Sequence, residues 1–387
     1  MSTWLSDAIG EYQLMIGDPL GLTAAKAIAL PTTGFYSAPV WSPDGSQILL
    51  QDNHRNLWTI ELPAGKATKI DIDDYPDPSR SFDAVWSPDS KWIAYSKNLP
   101  SRLRAIFVYS LAEKKPHQIT DGMADSISPA FDASGKYLYF MASTNFGPST
   151  GWLEMSSTDR PVRRAIYLAV LSATEPSPLL PETGDEPPPR PAPSETPAPQ
   201  PAAPRVINVR IDPAGIGQRI ISVNIPAGDY SNLRAGAPGS FYYTEPIPGG
   251  QLLRLQRYQI SARAATPFLE GVRAYSLSAD KKKLLYQGPG TSWGIVPTDR
   301  PAPVRVGDGP LNVAQLEMRV DPRVEWKQIF REAWRIQREY FYDPKFHGAD
   351  WDAVYQKYLP LVEHDQGREL GRRSDIRLRQ NSGFGYL

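Results

Sequence analysis

The amino-acid sequence predicts a mainly β fold of radially repeated sheets, followed by a short α-helical segment. Three observations carry that prediction. An aromatic-centred turn recurs as Val40-Trp41-Ser42-Pro43-Asp44-Gly45, Val85-Trp86-Ser87-Pro88-Asp89-Ser90 and Ala130-Phe131-Asp132-Ala133-Ser134-Gly135, and the intervals Trp41 to Trp86 and Trp86 to Phe131 are both 45 residues. Each copy leads into a short alternating run that reads as a strand, at 47–50, 91–95 and 136–140. At Asp321-Pro322 the apolar spacing changes to that of a helix. A repeat of this length, with an aromatic strand end, a Pro-Asp-Gly type turn and further short strands, marks one four-stranded blade of a β-propeller.

Each element can be justified in order. Pro43 and Pro88 preset φ at the first corner of the turn, and Asp and Gly supply its side-chain bond and its positive-φ position. A lone four-stranded sheet cannot bury its faces, so neighbouring blades must stack. Outer strands are expected at 56–62 and 105–111, and the matching run 12–16 lies about 45 residues before the first of these, so the chain begins inside a repeat and its first blade is incomplete. Residues 1–175 are thus read as propeller blades. Residues 176–204 hold twelve prolines with Glu, Ser, Thr and Ala, a composition that cannot donate ladder hydrogen bonds or bury a core, and are read as a disordered, extended insertion.

Strands resume over 205–320, at 206–211, 218–223, 240–244 and 251–255, and a worn copy of the turn, Leu277-Ser278-Ala279-Asp280, precedes the run 283–286. Leu277 lies 146 residues beyond Phe131, close to three more repeats once the insertion is allowed for, which gives about seven blades in all. Residues 312–320 are expected to add a closing strand to the incomplete first blade. Over 321–364, Asp321 serves as helix cap with Pro322 in the first position, and Trp326, Ile329, Phe330, Ala333, Trp334, Tyr340 and Phe341 recur at helical offsets. A second helix starts at Asp350 and carries Trp351, Val354, Tyr355, Tyr358, Leu359 and Val362. These aromatic stripes are packing faces, and two such helices need a larger body to cover them. In 365–387 the period is lost while Arg368, Arg372, Arg373, Arg377 and Arg379 crowd together, and this tail is read as disordered or aberrant.

Composition narrows the function classes. Lys plus Arg and Asp plus Glu both number 42 and no basic stripe runs through the repeats, so no nucleic-acid partner is implied. No apolar run of about 18 residues could span a membrane, and Met1-Ser2-Thr3-Trp4 opens no secretory signal, so a cytoplasmic protein is expected. Cysteine is absent, which excludes thiol catalysis, thiolate metal sites and disulfides. His54, His117, His347 and His364 are the whole supply of imidazole.

Candidate sites can then be weighed singly. Gly147-Pro148-Ser149-Thr150-Gly151 formally matches the G-x-S-x-G nucleophile elbow, but that motif needs a strand before it and a helix after it, and here it lies inside the propeller. His347 sits in a Gly-containing turn between helices, where capping is expected, and His54, near Asp52 and Asn53, reads as a solvated loop residue. Asp71, Asp73, Asp74 and Asp77 form an acidic loop, but Tyr75 and Pro76 interrupt it and no glycine-turn ligand spacing follows. No catalytic, cofactor-binding or metal residue is assigned, and no cofactor is implied.

The tandem turns combine with Gly147-Pro148-Ser149-Thr150-Gly151-Trp152-Leu153, with Pro161-Val162-Arg163-Arg164-Ala165-Ile166-Tyr167-Leu168, and with Glu325-Trp326-Lys327-Gln328-Ile329-Phe330-Arg331-Glu332-Ala333-Trp334-Arg335 after the last repeat. Together with Tyr340-Phe341-Tyr342-Asp343-Pro344 and His347-Gly348-Ala349-Asp350-Trp351, this order resembles the tricorn protease homologues from about residue 6 to Val362. The resemblance implies most of that family's seven-bladed propeller and the start of its first core subdomain. It also implies serine-type hydrolysis of oligopeptides in a homo-oligomeric assembly, with propellers shaping access to the active chamber. The family's catalytic Ser-His pair, nucleophilic serine and glutamate match no position here, so the chain is expected to be a catalytically incomplete portion. A non-enzymatic TolB-like propeller that binds a protein or peptide is the alternative, and a propeller joined to a prolyl-oligopeptidase-like hydrolase would require an α/β-hydrolase domain that this sequence does not contain.

Overall fold

The structure, a computed structural model, describes residues 1–37, 39–75, 82–145, 162–180, 207–300, 303–313, 315–317 and 319–364. Six antiparallel sheets follow one another along the chain. The first joins Ser2–Ser6 (β1), Gln13–Gly17 (β2) and Lys26–Ala29 (β3), and the second Val40–Trp41 (β4), Gln47–Gln51 (β5), Asn56–Glu61 (β6) and Ala67–Ile72 (β7). The third holds Val85–Trp86 (β8), Trp92–Asn98 (β9), Arg104–Ser110 (β10) and Lys115–Gln118 (β11), and the fourth Asp125–Phe131 (β12), Tyr137–Ser143 (β13), Ala165–Val170 (β14) and Ile220–Ser222 (β15). The fifth contains Ser231–Ala235 (β16), Ser240–Pro246 (β17), Leu253–Gln259 (β18) and Ala264–Val272 (β19), and the sixth Ala274–Leu277 (β20), Lys283–Gln287 (β21) and Trp293–Pro297 (β22).

The count among the described residues is therefore six sheets and not about seven. From Phe131 to Ala235, the next inner-strand end, the chain runs 104 residues, and from there to Leu277 only 42, so the insertion inside the fourth sheet uses up a blade's length of sequence. β2 is the counterpart of β6, which leaves the first sheet without an innermost strand, as expected. The described residues of 312–320 form no strand, against expectation, and the outer edge of the sixth sheet is instead met by a single bridge from Pro310 to Gly294. Residues 207–211 are not a strand either.

The recurring turn is closed by the same bonds wherever its serine is kept. In the second sheet Ser42 Oγ donates to Asp44 at 2.6 Å and accepts from the Gln47 amide at 2.9 Å, while the Gly45 amide donates to the Ser42 carbonyl. Ser87 with Asp89 and Trp92, and Ser278 with Asp280 and Lys283, repeat the arrangement. The corner after the aspartate has positive φ each time, at Gly45 (72°), Ser90 (61°) and Lys281 (60°). This short-range chemistry explains why the turn is visible in sequence.

The apolar core is divided among the blade interfaces. Leu14 and Ile28 of the first sheet pack with Ile48, Leu50 and Ile60 of the second, and Leu49, Leu57 and Ile70 of the second pack with Trp86, Ile93 and Tyr95 of the third. Ile106 and Val108 meet Leu138 and Phe140, Tyr139 and Ile166 meet Phe241 and Tyr258, and Tyr242 and Leu255 meet Leu284 and Tyr286. Middle strands consequently bury both faces, so Ile48, Leu49 and Leu50 are all covered where strict alternation would leave one out. The chain returning from the insertion is itself part of a blade interface: Val209 and Ile211 are buried in the cluster between the third and fourth sheets, and the Val209 amide donates to Asp89 at 2.9 Å.

The last elements are the helices Pro322–Tyr340 (α1) and Trp351–His364 (α2). Asp321 caps α1 through the Arg323 amide, with Pro322 in the first turn. Phe330, Trp334, Phe346, Trp351 and Val362 form the core between the two helices. The body that covers α1 lies partly within this chain, at the first sheet. Arg335 is fully buried, its guanidinium 4.7 Å from the Tyr12 ring and 4.8 Å from the Phe35 ring, and it donates to the Gly34 carbonyl and to Glu332. Arg338 forks onto Glu11 at 2.7 and 3.1 Å, and Arg331 donates to the Gly10 carbonyl.

Candidate functional site

Where the innermost strands converge they line a half-open cavity of about 340 Å³. Its wall is supplied by Ser37 and Val40 before and within β4, Asp83 and Ala84 before β8, Ser128 and Pro129 of β12, and Asn232, Leu233 and Arg234 of β16; Leu49, Leu50, Gln51 and Leu57 of the second sheet complete it. Three of these residues share a backbone peculiarity. Asp83 (φ 48°), Ser128 (φ 53°) and Asn232 (φ 52°) are left-handed, and each stands three residues before the end of its inner strand, at Trp86, Phe131 and Ala235. In β12 the register shifts between Ile127 and Ala130, and in β16 between Ser231 and Arg234, so Ser128 and Asn232 sit in β-bulges. Bulges that hold polar non-glycine residues in this conformation re-aim side chains and interrupt the ladder, here toward the cavity.

The charges of the wall are uneven. Asp83 is engaged in an interaction of its own. Arg234 has no hydrogen-bond or ion-pair partner among the described residues. Lys281, at the corner of the sixth sheet's turn, is half-buried and likewise has no side-chain partner among them. Burial, and after it the charge of Arg234, pushes the Lys281 ammonium below the usual lysine range.

The residues weighed from sequence lie elsewhere. His54 meets Glu339 of α1 at 3.0 Å, His117 meets Glu113 at 2.8 Å at the edge of the third sheet, and His347 contacts Tyr342 and Asp343 in the turn between the helices. His364 ends α2. Asp71 accepts from Tyr95 at 2.6 Å and Lys97 at 2.7 Å, and Asp73 from Asn98 at 2.7 Å, so the acidic loop is used to fasten the second sheet to the third. Among the described residues no group of three or more His, Asp or Glu side chains could hold a metal ion. Ser149, Asp77 and residues 365–387 lie outside the described residues, as do 181–206 of the Pro-rich insertion. No helix among the described residues is long and apolar enough to cross a membrane. The spacing pattern alone does not single out the bulged residues; their fixed phase before the strand end is the available signal.

Comparison with known proteins places this architecture. The tricorn protease second beta propeller domain model matches residues 3–292. The chain belongs to the tricorn protease family. The tricorn protease C1 domain model matches residues 322–369, where the helices begin. Tricorn protease homolog 1 of Streptomyces coelicolor is 27% identical over 387 residues, covering 93% of this chain and 35% of that protein. Tricorn protease of Thermoplasma acidophilum is 22% identical over 340 residues, covering 82% of this chain and 29% of that protein. The chain thus spans about a third of the length of the curated tricorn relatives it matches. A crystal structure of the tricorn protease matches its fold with a TM-score of 0.78 at 18% identity, over 98% of this chain and 36% of that one.

Proposed function

We propose that this chain is the access-shaping portion of a tricorn-like serine peptidase that degrades oligopeptides, with hydrolysis performed by residues outside this sequence. The observation that carries the reading is the half-open cavity of about 340 Å³ lined by the inner strands, in a chain whose helical end is bonded to its first sheet. An extended peptide suits such a cavity, because bulged strands and a wall of mixed polar and apolar residues offer main-chain and side-chain partners without a preformed catalytic set. A parent propeller of about seven blades belongs to the same reading, the seventh completed by chain not contained here. So does a cytoplasmic homo-oligomer, which light scattering on the full-length peptidase would test.

Two measurements test the proposal. The purified chain should be silent toward a fluorogenic peptide panel and a serine-directed probe, and robust labelling of any serine would refute it. In the full-length peptidase, Ser37→Trp at the exposed cavity wall should lower kcat/KM for long peptides by about tenfold, or about 1.4 kcal/mol, while sparing dipeptides. Equal loss for both, or none, would remove the cavity from the substrate's route.

A further inference from the structure

The cavity wall is built on a repeated step. The third, fourth and fifth sheets each bring to it a left-handed polar residue directly followed by an apolar one: Asp83-Ala84, Ser128-Pro129 and Asn232-Leu233. In a regular strand neighbouring side chains point to opposite faces, so only one member of each pair could reach the same space. The bulges lift that restriction. Ser128 and Pro129 together stand opposite Phe140, and Asn232 and Leu233 together stand opposite Tyr243, which lets both members of each pair line one cavity.

The polar members of the two bulges keep unused bonding capacity. The Ser128 hydroxyl makes no hydrogen bond among the described residues. Asn232 Nδ2 donates to Thr244 Oγ1 at 3.1 Å, which holds the side-chain amide in place, while Oδ1 accepts from no donor among the described residues. Asp83 is engaged in an interaction of its own and is left out of the site. The bulges themselves do not require these side chains, because glycine takes positive φ without steric cost; strain retained at a cavity wall points to use of the side chain. The apolar members, Pro129 and Leu233, are buried, and the exposed Val40 of β4 lines the same space. A volume of about 340 Å³ lies at the low end of the range of ligand pockets, room for a residue or two of an extended chain and not for a folded partner.

We propose that Ser128-Pro129 and Asn232-Leu233 form a subsite for an uncharged stretch of extended peptide. Asn232 Oδ1 and the Ser128 hydroxyl bond main-chain groups of the peptide, and one aliphatic side chain lies against Val40, Pro129 and Leu233. Such a subsite rests on the reading of the cavity as a peptide site, and it names the side-chain class favoured there. A leucine side chain gains by leaving water against three apolar surfaces, whereas a hydroxyl or carboxylate set among them would lose hydration without a partner.

Calorimetric titration of the full chain with three hexapeptides tests it, all acetylated and amidated at their ends and differing only in a central Leu, Ser or Glu. The Leu peptide should bind about tenfold more tightly than the Ser peptide. Ser128→Gly and Asn232→Gly keep the positive φ and remove only the hydrogen-bonding groups, so together they should weaken the Leu and Ser peptides alike, by about tenfold, and leave the preference for Leu intact. Each is also made singly, with thermal melting to confirm the fold, so that one variant still reports where the other fails to fold. Val40→Asp, at an exposed position, should erase the preference for Leu. Equal affinity for the Leu and Ser peptides, tightest binding of the Glu peptide, or unchanged affinity in the Ser128→Gly, Asn232→Gly double variant overturns the subsite and leaves the peptide reading of the cavity standing. Absence of binding by all three peptides overturns both.

Discussion

Arg335 shows how much one side chain can settle. It is fully buried, set 4.7 and 4.8 Å from the Tyr12 and Phe35 rings, and bonded to Gly34 and Glu332, so it joins α1 to the first sheet by cation–π contact and by hydrogen bonds together. Arg335→Ala should destabilise the molecule by about 2–4 kcal/mol, because it empties the buried space beside Tyr12 and Phe35 and removes the bonds to the Gly34 carbonyl and Glu332. Arg335→Lys should recover little of it, since an ammonium neither stacks nor forks; thermal melting of both variants, with protease sensitivity of α1 as a second readout, checks this. Asp125 is the corresponding anion, with Arg104 gripping both of its oxygens at 3.0 and 2.8 Å. Burial alone would raise its carboxyl, but the Arg104 bonds and charge, with the charge of Arg164, outweigh burial and hold it below the usual carboxylate range. A folded-state value depressed in this way contributes stability that is full above the unfolded value, near 4, and is lost as pH falls through the lower folded value. Urea unfolding midpoints should therefore fall as pH drops below about 4, and Asp125→Asn, which leaves two buried guanidinium groups without a carboxylate, should show a low midpoint at neutral pH with a flatter acid limb.

At the scale of single elements the turns divide into two kinds. Asp132 accepts from Tyr139, from Ser134 and from the Gly239 amide of the next blade, so it closes its own turn and fastens its neighbour. Asp280 serves its own turn alone. Asp132→Ala should cost about 2–3 kcal/mol in chemical denaturation, because buried donors are left unmet, whereas Asp280→Ala should leave the midpoint nearly unchanged. The difference also marks what sequence can disclose. Ser42, Asp44 and Gly45 announce their turn because the bonds that close it span five residues or fewer, and Asp321-Pro322 announces α1 for the same reason. Partners distant in sequence leave no such mark: nothing around Arg335 signals Gly34, and nothing around Tyr275 signals the Asn232 carbonyl. Spacing alone counts about seven blades where the described residues form six sheets, because residues lost to an insertion cannot be told from residues spent on strands.

For the molecule as a whole, stability is spread over interfaces between consecutive sheets and not gathered in one centre. The tricorn relationship and the propeller could be read from motifs; the cavity could not, since it is made by inner strands that meet only when the blades are assembled. The way the Pro-rich stretch is tethered has a practical consequence. Arg263 holds the Leu180 carbonyl at one end, and Asp89, Lys91 and Trp92 grip Asn208 and Val209 at the other, so the fourth sheet is completed by β15 whatever the number of residues between those moorings. Doubling the chain between them should change stability by only about 0.6 kcal/mol. That makes the stretch a natural port for splicing in foreign cargo, such as a fluorescent reporter or an affinity handle, without disturbing the rotor around it.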